Sequence, residues 1–565
     1  MDDSFVKAPV NVPKLSGFDK SHQNILTTKC GTITPILIDE LIPGSKVNLK
    51  LALSASLPPL ASDTFMRCSV KVEAFFVPFR LLAGSFESWF TDTEKKWADY
   101  TGSSGSSVTP TARKGFLPTI GGLDPTNDAT AISAIMAVGG LFDYLGFKSG
   151  SSGVLTADQI SAMPALAYHR VYHDWYRNTL VQNEVFLPPT SSYAVNPSPG
   201  SMLPFMGSAP YLFFNGGTLT NTGPYYRVSE SKYLQLADGK MLYDLRQRNF
   251  GLDYFTTATP SPQQGSAEVI SFSTSGSTGQ FSIAALRAAN SMQQFKERNN
   301  LAGNLFVEQC FARYGVAPSD GVAQRSLYLG SAEYEVYSKG IYQQGQDIAG
   351  ASTSETTTNP FQNTTGAQFG SAHAAGHGTL VSVFEAKEPG YLLVNATLVP
   401  RVTYASGIHR RFTNYCGSGS LADLANPILQ NVGPQPVYMY ELTGDGVYPA
   451  RVFGYTDRYA TFKTMEDELH GIVRDGSSLQ SFALQRSFSP LATPQISSAF
   501  LEIPTTYMDQ VTAVSSTIST YGCWMDCFFD YKVAQPLAKY SLPSLQDPAY
   551  EHGRTIVIHK GGKRI

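Results

Sequence analysis

The segment Lys46-Val47-Asn48-Leu49-Lys50-Leu51-Ala52-Leu53 alternates polar and apolar residues with a period of two. On an extended chain that pattern turns every apolar side chain to one face, which predicts a half-buried β-strand. Ile33-Thr34-Pro35-Ile36-Leu37-Ile38 and Cys68–Val77 predict two more strands, the second rich in β-branched and aromatic residues and closed by Pro78. Strands resume late, at Thr379–Glu385, Gly390–Val402 and the aromatic run Tyr521–Val533. Between the two groups the periodicity lengthens. Ala129–Leu145 has helical character, and Ala165–Val181 spaces Leu166, Val171, Trp175 and Leu180 for one helix face. The clearest helical region runs from Ser282, an N-cap residue, to Tyr314, with Ile283, Leu286, Ala289 and Met292 at three-residue steps. Gly303 is placed to interrupt it and Gly315 to end it.

Residues 101–130, 148–157, 188–224 and 340–378 are rich in Gly, Ser, Thr, Pro or Gln and predict exposed loops. There is no internal repeat. Strands near both ends, with helices and loops inserted between them, suit a sandwich whose first and last strands pair across very long connections. The expected fold is mainly β, an eight-stranded antiparallel jelly-roll β-sandwich with long loop and helical insertions. Residues 1–30, polar and dotted with Pro9 and Pro13, form an extended N-terminal arm in this reading. Residues 31–545 form one domain, with loops and helices inserted over about 80–380, and residues 546–565 form a basic C-terminal tail.

Composition narrows the class. Hydrophobic residues make up 42% of the 565, enough for a substantial core, while charged residues are only 15% and aromatics reach 12%. So little charge suits a protein whose surface is covered by other chains, because obligate interfaces are more apolar than a free surface. The net charge is −3, from 42 Lys and Arg against 45 Asp and Glu, so any contact with nucleic acid must come from local patches. No stretch reaches the ~20 apolar residues that span a membrane. The start, Met1-Asp2-Asp3-Ser4, lacks the basic-then-apolar pattern of a signal peptide, which predicts synthesis in a cytoplasm. Sparse cysteines (Cys30, Cys68, Cys310, Cys416, Cys523 and Cys527) agree with a reducing compartment rather than a disulfide framework.

Candidate chemistry is thin. His169 and His173 share a helix face, but Arg170 stands where a zincin has its catalytic Glu and no third ligand is in sight, so packing and hydrogen bonding account for them better. Cys523 and Cys527 share a strand face without a second pair, and read as buried thiols. His373 and His377 fall in a glycine-rich stretch that reads as a solvated loop, and Glu466, Asp467 and Glu468 as an exposed acidic cluster. Walker, dinucleotide-binding and nucleophile-elbow motifs are absent, so neither an enzyme nor a cofactor is expected. The C-terminus carries Arg554, Lys560, Lys563 and Arg564 among glycines, a short cationic tail able to lie on phosphates without reading sequence.

Several segments, in order, resemble one family. They are Ser16-Gly17-Phe18-Asp19-Lys20-Ser21-His22, Phe75-Phe76-Val77-Pro78-Phe79-Arg80-Leu81, and Pro164-Ala165-Leu166 with Tyr172-His173-Asp174-Trp175-Tyr176-Arg177-Asn178. Leu245-Arg246-Gln247-Arg248-Asn249, Asp253-Tyr254-Phe255-Thr256, and the stretch from Leu286-Arg287 to Glu297-Arg298 follow. Tyr328-Leu329-Gly330, Glu388-Pro389-Gly390-Tyr391 and Phe453-Gly454-Tyr455 complete the series. Over roughly Ser16 to Leu545 the chain resembles the major capsid proteins of microviruses, single-stranded-DNA bacteriophages, most closely the gokushovirus type. The resemblance implies a jelly-roll subunit, sixty copies of which close a T=1 icosahedral shell around circular single-stranded DNA. It implies a small basic DNA-packaging protein as partner and leaves room for a pilot protein and a host surface receptor, with the mature protein in the virion. One departure is visible: gokushoviruses carry a long variable insertion between the segments matching Pro260-Ser261-Pro262-Gln263 and Ser282, and here that gap is short and polar.

Two other classes compete. A secreted or virion-surface carbohydrate-binding β-sandwich fits the aromatics and loops, but as a secreted protein should carry a signal peptide and stand alone. A tail or adhesin protein fits the low charge but should show fibre repeats.

Overall fold

The structure, a computed structural model, describes residues 15–62, 64–83, 129–147, 160–186, 238–269, 283–343, 368–414, 425–444, 451–489, 494–513 and 522–537, with short pieces between them. Among these residues it is mainly antiparallel β-sheet with few helices. The strands used below are β1 (Ser16–Asp19), β2 (His22–Thr28), β3 (Thr34–Leu41), β4 (Lys46–Ser56), β5 (Cys68–Pro78), β6 (Leu327–Glu335), β7 (Tyr337–Gln343), β8 (Gln368–Glu385), β9 (Gly390–Pro400), β10 (Gln435–Tyr438), β11 (Val452–Thr456) and β12 (Cys523–Gln535). The helices are α1 (Ala129–Ile135), α2 (Leu141–Tyr144), α3 (Met163–Val171), α4 (Ile283–Ala302) and α5 (Phe306–Tyr314).

Alternation builds the first sheet. In β4 the side chains of Val47, Leu49, Leu51, Leu53 and Ala55 are buried, and in β12 those of Cys523, Met525, Cys527, Phe529, Tyr531 and Val533. The two strands pair without a slip from Trp524 opposite Ser56 to Ala534 opposite Lys46. A one-residue shift would turn either set outward, so burial fixes the register. On the other edge of β12 lie β2, paired from His22–Phe529 to Thr28–Cys523, and β1, paired from Ser16–Gln535 to Asp19–Lys532. The Lys20 N–H donates to the Tyr531 carbonyl (2.8 Å) and keeps the ladder alive through the turn between them. β8 then follows β4 and β7 follows β8.

The second sheet has the order β6–β5–β9–β3, and its central strands β5 and β9 are buried on both faces. Val70, Val72, Ala74 and Phe76 of β5 meet Leu392, Val394, Ala396 and Leu398 of β9 in the core between the sheets. Phe75, Val77, Tyr391 and Leu393 point the other way, into a layer made by α1, α2 and α3. That two-sided burial explains why β9 reads as a nearly continuous apolar run rather than an alternating one. A third, smaller core joins Tyr254, Phe255 and Ala258 to the β10–β11 hairpin, Leu442 and Phe500.

Three expectations change. The segment 340–378 is not one loop, since Gln368–Gly378 belongs to β8. Propensity misses it because Gly and Ala offer no bulky alternation. Their smallness is the reason for the strand: a Cβ at Gly376 would stand 2.8 Å from Cδ1 of Tyr334, which comes across from the opposite sheet. The helix expected over Ala165–Val181 ends in a wider turn at Tyr172–Tyr176, and Leu180 lies beyond it. Arg177 is extended there, and the Asn178 side chain accepts from the Leu180 N–H (3.0 Å), so local asparagine turn chemistry replaces the helix. Finally, the segment read as an arm contains β1 and β2, both built into the sheet.

Register in β12 sets a sharp contrast between neighbours. Phe529 is fully buried and Phe528 is half exposed. In urea unfolding of the unassembled subunit, Phe529→Ala is expected to cost about 3–5 kcal/mol. Phe528→Ala should stay within about 0.5 kcal/mol. Equal effects would mean that the register is wrong.

Candidate functional site

The segments singled out in the sequence are far apart along the chain, and the structure joins several of them to one another or to neighbouring elements. Arg80 donates to Glu388 (2.6 Å), the Phe79 N–H donates to the Pro389 carbonyl (3.0 Å), and the Phe79 and Tyr391 rings meet edge-on at 4.7 Å. The end of β5 is thus pinned to the start of β9. Arg248 holds Glu73 with both arms (2.6 and 3.1 Å), and the Tyr176 hydroxyl donates to the same carboxylate at 2.5 Å. Arg170 pairs with Asp174 (3.0 Å) one turn on, and Asp174 also accepts from the Ser326 N–H (2.8 Å), fastening the helix layer to the entry of β6. Thr259 and Tyr455 exchange two backbone hydrogen bonds of 2.8 Å.

His169 belongs to this framework. Its Nδ1 accepts from Arg246 Nε (3.0 Å) and its Nε2 donates to the Leu242 carbonyl (2.9 Å), so both ring nitrogens are used within the chain. Burial, and then the Arg246 charge, hold its pKa well below the usual value and keep it neutral. The Arg246 guanidinium is paired in turn with Asp238 and lies over the Tyr172 ring at 4.9 Å. His173 packs at a tilt against Phe186, ring centroids 5.5 Å apart, and burial lowers its pKa too. The two histidines therefore share no open coordination site.

The other candidates separate as follows. Cys523 and Cys527 are buried on the inner face of β12, and burial raises the Cys527 thiol to about 12. Cys30, Cys68 and Cys523, scattered in sequence, are near enough to raise one another's thiols, after the larger effect of burial. No sequence spacing signals that meeting; the ends of β2, β5 and β12 produce it. His373 and His377 sit on β8 rather than in a loop, with His373 Nδ1 and Ser56 Oγ 3.0 Å apart across the ladder. Among the described residues no group of three His, Cys, Asp or Glu is arranged to hold a metal ion, and no helix is long and apolar enough to cross a membrane. Arg554, Lys560, Lys563 and Arg564 lie outside the described residues, as does Cys416.

One open cleft of about 410 Å³ is lined by Tyr254, Tyr404, Arg410, Glu441, Glu466 and Arg474. Of these, Tyr254 lies in a segment shared with the resembling family, and Glu466 belongs to the run Glu466, Asp467 and Glu468 that the sequence predicts to be an exposed acidic cluster. All three line this cleft, each with a different partner. Glu466 is half-buried and accepts from the Tyr254 N–H (3.2 Å), Asp467 pairs with Arg401 (2.5 Å), and Glu468 with Arg411 (2.7 Å). Burial, followed by the nearby Asp253 charge, raises the Glu466 carboxyl to about 7. The Tyr404 hydroxyl donates to Asp253 (2.9 Å) and that of Tyr254 to Glu441 (3.0 Å), so the cleft wall is knitted to the Asp253 segment.

The segments singled out in the sequence thus help to lock one element of a layered sandwich onto another, and the class of protein comes from its relatives. The comparisons make that specific. The model of a family described as capsid protein (F protein) matches residues 9–277 and 272–545. The chain belongs to that family, the major capsid proteins of microviruses. It is similar to capsid protein VP1 of Chlamydia phage 1, 23% identical over 633 aligned positions that cover 97% of this chain and 98% of the relative. Capsid protein VP1 of Bdellovibrio phage phiMH2K is 23% identical, with 96% and 97% covered, and that of Spiroplasma virus 4 is 21% identical, with 93% and 94% covered. The family's role is structural, and its place is the virion.

Two outcomes follow from the site. Arg248→Ala leaves the Glu73 carboxylate without its cation and with only the Tyr176 hydroxyl named above, and should destabilise the unassembled subunit by about 3 kcal/mol in urea unfolding. A loss under about 1 kcal/mol would show that the joint is dispensable. For Glu466, a folded pKa near 7 against the ordinary 4.5 means the folded state holds a proton that the unfolded state releases. Its contribution therefore favours folding less and less as pH rises from about 4.5 through about 7. Thermal unfolding across that window should show Glu466→Gln gaining on the wild type towards high pH; parallel curves would contradict it.

Proposed function

We propose that this subunit is an eight-stranded jelly roll, sixty copies of which close a T=1 icosahedral shell around a circular single-stranded DNA genome. The observation that carries the reading is the strand order. Numbering β2, β3, β4, β5, β6, β8, β9 and β12 consecutively from one to eight, the first sheet runs one, eight, three, six and the second runs two, seven, four, five. That interleaving is the double Greek key of viral shell subunits. It makes β2, within the segment first read as an arm, the opening strand of the roll.

The charge count supports a second component. A chain of net charge −3 cannot neutralise its share of a genome, so a small basic packaging protein supplies most of the cations. The tail residues Arg554, Lys560, Lys563 and Arg564 add contacts to phosphate at the inner surface, non-specific because flexible Lys and Arg on phosphate carry no base information. Synthesis occurs in the host bacterial cytoplasm. A pilot protein and a host surface receptor are the remaining partners of this reading.

Light scattering and negative-stain imaging of the expressed chain test it. Closed particles of one size are expected, and a chain that stays monomeric at high concentration would sink the proposal. Replacing Lys560, Lys563 and Arg564 with Ala should lower DNA retention by the particles, with the gap closing as salt rises. Equal retention at every salt concentration would remove the tail from the DNA contact.

A further inference from the structure

The helical pair α4–α5 is attached to the subunit by its polar side. In α4 the buried residues are Asn299 and Asn300. Asn300 Nδ2 donates to the Ser261 carbonyl (2.6 Å) and Thr259 Oγ1 (3.2 Å), and Lys296 Nζ to the Ser266 carbonyl (2.8 Å). Gln293 donates to Gln263 and to Glu297 (2.8 Å), while the Asn304 N–H donates to Thr179 Oγ1 (3.0 Å). Positions 293, 296, 297 and 300 form one stripe at helical spacing, and it is this stripe that faces the chain's own body.

The apolar residues are left outside. Met292, Phe295, Leu301, Phe306, Phe311 and Tyr314 are all exposed, Phe311 at 63% and Tyr314 at 77%. In α5, Phe306, Cys310, Phe311 and Tyr314 fall on one face. An amphipathic helix normally presents its apolar face to its own core, and here the polarity is reversed. Gly303 (φ 87°) and Gly315 (φ 70°) turn the chain sharply at the two helix ends, in a conformation other residues rarely adopt, so the hairpin is held in this pose.

We infer that the apolar face of α4–α5 is a subunit contact, covered in the shell by a second copy of this chain. The inference rests on the shell reading and names one of its interfaces. The aromatic side chains of Phe295, Phe306, Phe311 and Tyr314 alone expose on the order of 500 Å², a large part of the ~800 Å² that each partner gives to a standard interface. Two charged side chains of α5 are engaged within the pair. Glu308 turns back onto the Leu305 N–H (3.1 Å), and the Arg313 guanidinium lies over the Phe295 ring at 5.0 Å. Arg287, Arg298 and Arg313 are exposed on the pair as well, but the larger part of its exposed surface is apolar and aromatic, and aromatic residues with Arg suit the centre of a protein interface.

Cys310 provides a probe that leaves the wild-type chain intact. It is partly exposed on α5, whereas the other described cysteines are buried. Alkylation of Cys310, followed peptide by peptide by mass spectrometry, should be at least tenfold slower in assembled particles than in the unassembled fraction of the same preparation. Phe311→Asp with Tyr314→Asp should leave the subunit's circular dichroism and Tm unchanged while lowering particle yield tenfold or more. Equal alkylation in both fractions, or a folded double variant that assembles at the wild-type yield, would overturn the contact while the shell reading stands. A wild-type chain that never assembles would sink both.

Discussion

Everything in the sandwich depends on where β12 lies. It enters between the first strands of the chain, β1 and β2, and β4, so the first sheet is completed only when residues near 530 return to residues near 20. The alternation in β12 and β4 makes that insertion favourable, because each fully buried Leu or Phe is worth about 1.5–3 kcal/mol. Asp39 adds a polar latch at the same place, accepting from Lys20 (2.7 Å) and from the Tyr531 hydroxyl (2.6 Å). A sheet closed by contacts of such long sequence separation must form slowly, and its unpaired edges remain exposed until it does.

The second sheet creates a different demand. With apolar residues on both faces it would be insoluble in a plain sandwich, and the helices inserted between β5 and β6 meet the need by covering its outer face. The charged joints then fix where that layer sits. Buried ion pairs such as Arg248–Glu73 and Arg246–Asp238 are weak evidence for stability in themselves, since desolvation opposes their attraction. Their value here is positional. Arg248–Glu73 joins an inserted segment to β5, while Arg246–Asp238 braces that segment itself and leaves Arg246 bonded to His169 of α3.

Much of this was legible in the sequence, and what was not has identifiable reasons. The period-two run of β4 and the aromatic run of β12 announced their strands, and Gly303 and Gly315 marked the ends of α4 and α5 where the structure places them. The glycine-rich half of β8 was hidden because its residues are chosen for thinness beneath Tyr334, a property no propensity scale rewards. The meeting of Cys30, Cys68 and Cys523 and the separate partners of Glu466, Asp467 and Glu468 are consequences of register and tertiary pairing, invisible in spacing. The inverted α4 was the subtler case. Its apolar steps are real, but sequence periodicity reports a face without saying whether the subunit's own core or a neighbouring chain will cover it.

The measurement that tests the account most directly is a cryo-electron-microscopy reconstruction of the assembled particle without imposed assumptions about subunit number. The account predicts strict T=1 symmetry, one chain per asymmetric unit, β12 between β2 and β4 in every copy, and α4–α5 against a neighbouring subunit. A reconstruction in which β12 pairs with another chain, or in which the copies form an open filament instead of a closed shell, would contradict it.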